Sequence, residues 1–456
     1  MQDPLKIIQD YVRHPSISTD PEAKEGMVAS RDYICNLLSS LGFKTEIAET
    51  PLHPLVLAER EGDSSWPHVL LYGHYDVQPA DPLELWSSAP FEPEVRGNRV
   101  YGRGTADNKG PQIAMILGLA RALEKHPDLP VRITVMIEGE EEIGSPSFPG
   151  FLEKYQDRLK QADLVILSDT CSPSIDQVTV TTALRGLMAL EVTLHGPNVD
   201  LHSGLHGGPV MNPIRALAKL CASLHDEQGR VAVPGFYDTV IEPEAWEREQ
   251  LAALPQDEGT YKQSLGVPAF TPPEGYNALE SIRFAPTLEF NGITGGYQGE
   301  GSKTIIPSKA SVKITCRLVA NQDPKDIEAK VVQAIKERCP EGVRLECRVD
   351  AGAEAYCVIP PGKPNTPKDQ PAVVAKAFTA MDNAVKDVFG KAPLYLREGG
   401  SVPIIAQIKT VLGLDSLMLG LFTPEDNLHA PDESFDLTLM QRGIETYEKV
   451  FTELGK

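Results

Sequence analysis

Short apolar runs that end in charged residues recur along this chain, separated by stretches with helical spacing. Residues 4–13 and 22–41 place apolar side chains every three to four positions and predict amphipathic helices. The run HVLLYGHYD predicts a buried strand with His74 near its end. NKGPQIAMILGLARALEKH predicts a helix that starts just after Asp107. VRITVMIEGE and ADLVILSD predict strands that end at an acidic triplet (Glu140, Glu141, Glu142) and at Asp169. DSLMLGLF predicts one more strand, followed by a turn-rich loop carrying His429.

The middle of the chain has a different rhythm. LRGLMALEVTLHG, SKASVKITCRLV and VRLECRVD alternate as strands, while NPIRALAKLCASLHD and PKDIEAKVVQAIKERC have helical spacing. This predicts a small α+β unit with a two-layer build. The apolar α/β pattern resumes afterwards, so the unit is read as an insertion. Residues 227–285 are rich in Pro, Glu and Gly and predict loops and short helices. At 456 residues, two domains are expected. The expected division is a catalytic α/β domain with a mixed central sheet over 1–180 and 356–456, and an inserted lid over 181–355.

Composition narrows the function classes. Hydrophobic content of 41% and charged content of 23% are those of an ordinary globular chain. A formal net charge of −21 argues against nucleic acid and against an anionic membrane surface as partners. Seven scattered cysteines without a Cys-x-x-Cys pair predict reduced thiols and a cytoplasmic protein. The charged N-terminus lacks the apolar core of a secretory signal. The most apolar stretch, PIIAQIKTVLGLDSLMLGLF, is broken by Lys409 and Asp415.

The charged residues at the ends of the apolar runs are good metal donors: His74, Asp76, Asp107, Glu141, Glu142, Asp169 and His429. Two imidazoles with several carboxylates and no thiolate suit a hydrolytic two-metal site for zinc, manganese or cobalt. Placement at strand ends is where open α/β sheets put their sites. In an extended strand His74 and Asp76 face one side, so Asp76 is expected to hold the imidazole while His74 binds metal. Asp107 follows a Gly-rich turn and reads either as a helix N-cap or, more sharply, as a carboxylate bridging two cations. Two adjacent carboxylates can divide labour, one binding metal and one taking a proton from water; the triplet alone leaves open which does which. There is no His-Glu-x-x-His helix and no Gly-x-Ser-x-Gly elbow, and Ser302 spoils the match of GYQGEGSKT to a phosphate loop.

GHYDVQP, GRGTADNKG, EEIGS, DLHSG, QGEGSKTIIP, CRLV, REGGSVP and NLHAPDE, in this order, resemble the co-catalytic zinc metallopeptidases. That family includes carnosinase-type dipeptidases, glutamate carboxypeptidases, aminoacylases and acyl-amino-acid deacylases. The resemblance spans essentially the whole chain and implies two divalent ions per chain, zinc first, with manganese or cobalt as alternatives. It implies that His74 and Asp169 hold one ion, Glu142 and His429 the other, with Asp107 between them and Glu141 as general base. Glu140 is left without a role. Asp169, where carboxypeptidase and deacylase relatives usually carry Glu, points to the dipeptidase branch and to hydrolysis of small dipeptide-like substrates; an N-acyl-amino-acid deacylase, of acetylornithine deacetylase or succinyl-diaminopimelate desuccinylase type, is the alternative. By the same resemblance, His202 reaches the partner's site in a homodimer built through the lid and stabilises the oxyanion there. Arg317 grips the substrate carboxylate, Thr304 and Ser401 contact substrate, and the Asp107–Asn108 peptide is cis although Asn108 stands where many relatives have Asp.

Overall fold

The computed structural model describes residues 3–255, 258–350 and 352–456. Its centre is a nine-stranded mixed sheet. The strand order is Lys44–Ala48, Leu55–Arg60, Arg132–Glu138, His68–His74, Leu164–Leu167, Ser416–Leu419, Thr179–Leu184 and Tyr356–Cys357, with Leu394–Arg397 also pairing with Thr179–Leu184. Four consecutive members, Arg132–Glu138, His68–His74, Leu164–Leu167 and Ser416–Leu419, run parallel to one another. Every residue of His68–His74, Leu164–Leu167 and Ser416–Leu419 is buried, which explains why these strands read as unbroken apolar runs.

The predicted elements of the first part are present, with the strands ending slightly early. The helices are Pro4–Val12, Lys24–Ser40 and Gly110–Lys125. Arg132–Glu138 stops short of the acidic triplet, and Leu164–Leu167 stops two residues before Asp169, so the ligand candidates sit in the turns beyond the strands. Both long C-terminal helices, Ala372–Phe389 and Leu437–Leu454, pack together, and the second also packs along Gly110–Lys125.

The middle of the chain forms a four-stranded antiparallel sheet ordered Thr287–Gly295, Lys309–Leu318, Gly186–His195 and Arg344–Val349. Gly186–His195 alternates buried and half-buried positions along its length, as an antiparallel strand covered on one face should. Helices Pro213–Ala222 and Pro324–Arg338 cover that face. Their apolar residues form a cluster of their own with Met188, Leu190, Val192 and Ile314, distinct from the larger cluster around the nine-stranded sheet. Residues 227–285 carry the short helices Ala245–Ala252, Glu258–Leu265 and Ala278–Phe284; residues 256 and 257 of that stretch lie outside the described residues.

Candidate metal centre

Because the four parallel strands are adjacent, the turns beyond their carboxyl ends converge. His74 closes its strand and is fully buried. Its Nδ1 lies 3.0 Å from the main-chain oxygen of Asp76. A carbonyl only accepts, so the ring proton belongs on Nδ1 and Nε2 presents a lone pair. That lone pair faces Asp107 Oδ1 at 3.3 Å and Asp169 Oδ2 at 3.7 Å. On the other side of Asp107, His429 Nε2 lies 2.9 Å from Oδ2 and 3.5 Å from Glu142 Oε2. Two donor groups result, His74–Asp107–Asp169 and Asp107–Glu142–His429, each with its ligand atoms within 4.8 Å of one another and with Asp107 common to both.

These donors fit a pair of cations. His74 Nε2 and Glu142 Oε1 are buried without a hydrogen-bond partner, an arrangement that is costly for a purely structural cluster. Burial and the neighbouring Asp107 push Glu142 up to about 10, and burial raises Asp169 to about 6 and Glu141 well above the usual carboxylate range. Burial also acts on Asp107, but His429 and His74 outweigh it and hold its carboxyl low. Burial opposes charge on His74, yet Asp107 and Asp76 outweigh it and, with no ion at Nε2, favour a second ring proton there, a positive charge whose place a bound cation would take. So many buried carboxylates in one place are relieved by positive charge, and nitrogen–oxygen donor sets of this kind suit zinc, manganese or cobalt.

Local structure differs from the sequence expectations in three respects. The carboxylate of Asp76 is not the imidazole's nearest partner: Oδ1 is 3.4 Å from His74 Nδ1, and the main-chain oxygen is closer. The strand ends at His74, so the two-residue alternation that would have aimed the side chain at the ring stops there. Instead the Asp76 carboxylate accepts the N–H groups of Glu141 (3.3 Å) and Glu142 (3.0 Å), holding that pair in a 3₁₀ turn. Asp107 is not an N-cap. Lys109 occupies that position without a side-chain bond, and the helix begins at Gly110. Glu140 serves the structure, accepting the N–H groups of His53 and Ser147, both at 2.8 Å, and so tying two loops together.

The Asp107–Asn108 peptide is cis. Asn108 Nδ2 donates to the main-chain oxygen of Ser168 (2.6 Å) and to Asp169 Oδ1 (2.8 Å), fixing the orientation of Asp169. Gln78 Nε2 donates to Glu142 Oε2 at 2.8 Å. Sequence reasoning gave no such role to Asn108 or Gln78, although both lie inside the quoted motifs.

The remaining candidates belong to neither donor group. His202 ends the short strand Leu201–His202, paired with Ile305–Ile306. Its exposed ring accepts the Gly204 N–H at 3.0 Å, and Thr304 sits beside it, its main-chain oxygen accepting from Ser203 at 3.0 Å. Arg317 and Ser401, distant in sequence, meet: Nη1 donates to Oγ at 2.9 Å. Among the described residues, none of these four side chains bonds to a donor of the two groups.

A model of the peptidase family M20/M25/M40 matches residues 70–453. The Cys-Gly metallodipeptidase DUG1 of Candida albicans is 30% identical over 478 aligned residues, covering 99% of this chain and 94% of the relative. The human Beta-Ala-His dipeptidase is 29% identical, covering 89% of this chain and 78% of that protein. Among solved structures, the M20 family metallo-carboxypeptidase Sso-CP2 from Sulfolobus solfataricus superposes with a TM-score of 0.85 at 30% identity, covering all of both chains. Human carnosine dipeptidase 1 superposes with a TM-score of 0.79 at 25% identity, covering 99% of this chain and 96% of its own.

Proposed function

The chain belongs to peptidase family M20/M25/M40, and from that premise we propose that it is a metal-dependent dipeptidase that hydrolyses the amide bond of small dipeptides. The observation that carries this reading is the pair of three-donor groups sharing Asp107, with His74 Nε2 and Glu142 Oε1 left unpartnered. The relatives named as metallodipeptidases and dipeptidases along nearly the whole chain support the substrate class.

His74 and Asp169 would hold one divalent ion and Glu142 and His429 the other, with Asp107 between them; zinc is the first choice, manganese or cobalt the alternatives. Ions held there would supply Lewis acidity to the scissile carbonyl and to the attacking water. Glu141 takes the proton of that water and passes it to the leaving amine. Its carboxyl is raised by burial, and its main chain is held by Asp76, which sets its position relative to Glu142. Arg317 grips the substrate's free carboxylate through its planar fork, with Ser401 and Thr304 as further contacts. The Arg317–Ser401 hydrogen bond supports a joint role for the two side chains. His202 would donate to the oxyanion in the site of a second copy of the chain, making a homodimer through 181–355 the active unit. Its ring is exposed and, among the described residues, bonds only to Gly204, which suits a partner from outside. No helix among the described residues is long and apolar enough to cross a membrane; a cytoplasmic setting remains part of the proposal, resting on seven scattered cysteines without a Cys-x-x-Cys pair.

The similarity to a metallo-carboxypeptidase favours one second reading, removal of the C-terminal residue from longer peptides. A panel of dipeptides, tripeptides, N-acetyl and N-succinyl amino acids, each with zinc, manganese or cobalt, separates the readings. Dipeptides are expected to turn over fastest and only with metal. Faster cleavage of tripeptides would favour the carboxypeptidase, and faster cleavage of the acylated amino acids would favour the deacylase.

A further inference from the structure

Glu433 is fully buried, four residues beyond His429, and takes no part in the steps above. Its two carboxylate oxygens receive four donors. Oε1 accepts the N–H groups of Ala106 (2.9 Å) and Asp107 (3.1 Å). Oε2 accepts the Gly104 N–H (3.0 Å) and Arg103 Nη1 (2.7 Å). Arg103 is itself buried, and its Nη2 donates to the main-chain oxygen of Pro79 at 3.1 Å, in the loop beyond His74. The main chain extends the join: Gly102 N donates to Glu433 O at 2.9 Å, and Ser434–Asp436 pairs with Arg99–Tyr101.

Gly104, at φ +87°, turns the chain so that the N–H groups of Gly104, Ala106 and Asp107 converge on one carboxylate, while Thr105 N–H turns back to the main-chain oxygen of Gly102. Such a nest ordinarily attracts an anion from solution, and here a side chain fills it. Four donors on two oxygens call for the ionised form, because a protonated oxygen would meet an N–H with a proton of its own. Neutralising Arg103 needs only one oxygen. The other is committed to the main chain of Ala106 and Asp107.

We propose that Glu433 is a positioning residue of the metal centre, which locks the main chain of Asp107 to the loop that carries His429, so that both ions are gripped through one carboxylate. This deepens the metal-centre reading and rests on it. The competing account is a structural ion pair that serves only to neutralise Arg103.

The full-length protein is loaded with Co²⁺, its visible absorption is recorded, and loss of the ion to a chromogenic chelator is followed. Glu433→Gln places a donor NH₂ against N–H groups whichever way the amide turns. It is expected to weaken Co²⁺ retention by about 10–100-fold, for both ions in step, and to alter the absorption band. Glu433→Gln/Arg103→Met also removes the unpaired cation; it should regain thermal stability without regaining Co²⁺ retention. This double variant supplies the comparison if the single variant does not fold. Recovery of both properties together would make Glu433 a counter-ion for Arg103 and overturn the proposal. Retention in Glu433→Gln equal to wild type would also overturn it. A wild-type chain that takes up no Co²⁺ would remove the metal-centre reading itself, and the proposal with it.

Discussion

Glu141 and Glu142 are neighbours with different surroundings, and this predicts different phenotypes. Only Glu142 places an oxygen 3.5 Å from His429 and belongs to a donor group. Glu141→Gln should therefore keep its metal and its fold while losing turnover by roughly 10²-fold or more. Glu142→Gln should lose metal first, as read by elemental analysis after gel filtration; exchanged phenotypes would reverse the assignment. His68 predicts a pH effect on stability. Its ring is buried between the main-chain oxygen of Gln161 and the Thr134 hydroxyl, and burial, with help from Arg132, lowers it below the ordinary imidazole value. The unfolded chain then takes up this proton before the native chain does, so stability is lost as pH falls below ~6.5 and is unaffected above. Urea midpoints at pH 8 and pH 5 should fall less for His68→Asn than for wild type; equal falls would exclude His68 as a contributor. The clustered donors were legible as candidates because charged residues at the ends of apolar runs are conspicuous. Glu433 and Asp76 were not legible in these roles, because their partners are main-chain N–H groups that only folding brings near.

At the level of elements, adjacency of four parallel strands gathers four of the candidate donors, His74, Glu142, Asp169 and His429, and the turn after Arg99–Tyr101 brings Asp107 to them. Those strands were readable as apolar runs. The three-stranded sheet of Glu94–Arg96, Arg99–Tyr101 and Ser434–Asp436 was not, since three residues cannot display a period. Helix Leu437–Leu454 does carry a helical stripe (Met440, Ile444, Tyr447, Phe451), but charged residues break its apolar outline. Its contact with Gly110–Lys125 sets a prediction. A Cβ on Gly118 would lie 2.5 Å from Tyr447 Cβ and 2.7 Å from the main-chain oxygen of Ile444. Ala in place of Gly gains about 1 kcal/mol of helix propensity, whereas overpacking against a backbone that cannot yield costs typically ~1–3 kcal/mol. Gly118→Ala should thus destabilise the protein by up to about 2 kcal/mol in urea unfolding. Stabilisation would show that the two helices can separate freely.

For the whole molecule, the role proposed for His202 would make function depend on the number of chains in the active unit. If His202 serves the neighbouring copy, an inactive Glu141→Gln chain and an inactive His202→Ala chain should regain partial activity when mixed and allowed to exchange. One site of the mixed dimer then has both groups intact. Demonstrated exchange without activity would confine His202 to its own chain or remove it from catalysis. The α/β class and the insertion were legible because the alternation changes between the two parts of the chain. The nine-strand order was not legible, because strands distant in sequence lie side by side. Ser416–Leu419 is the clearest case, lying between Leu164–Leu167 and Thr179–Leu184. Translation makes that strand, and His429 beyond it, long after the two strands that flank it. A growing chain on the ribosome therefore has a gap in the middle of its sheet and an incomplete second donor group. If the two donor groups hold metal as proposed, a message cut short before the His429 codon yields an inert product rather than a weakened peptidase.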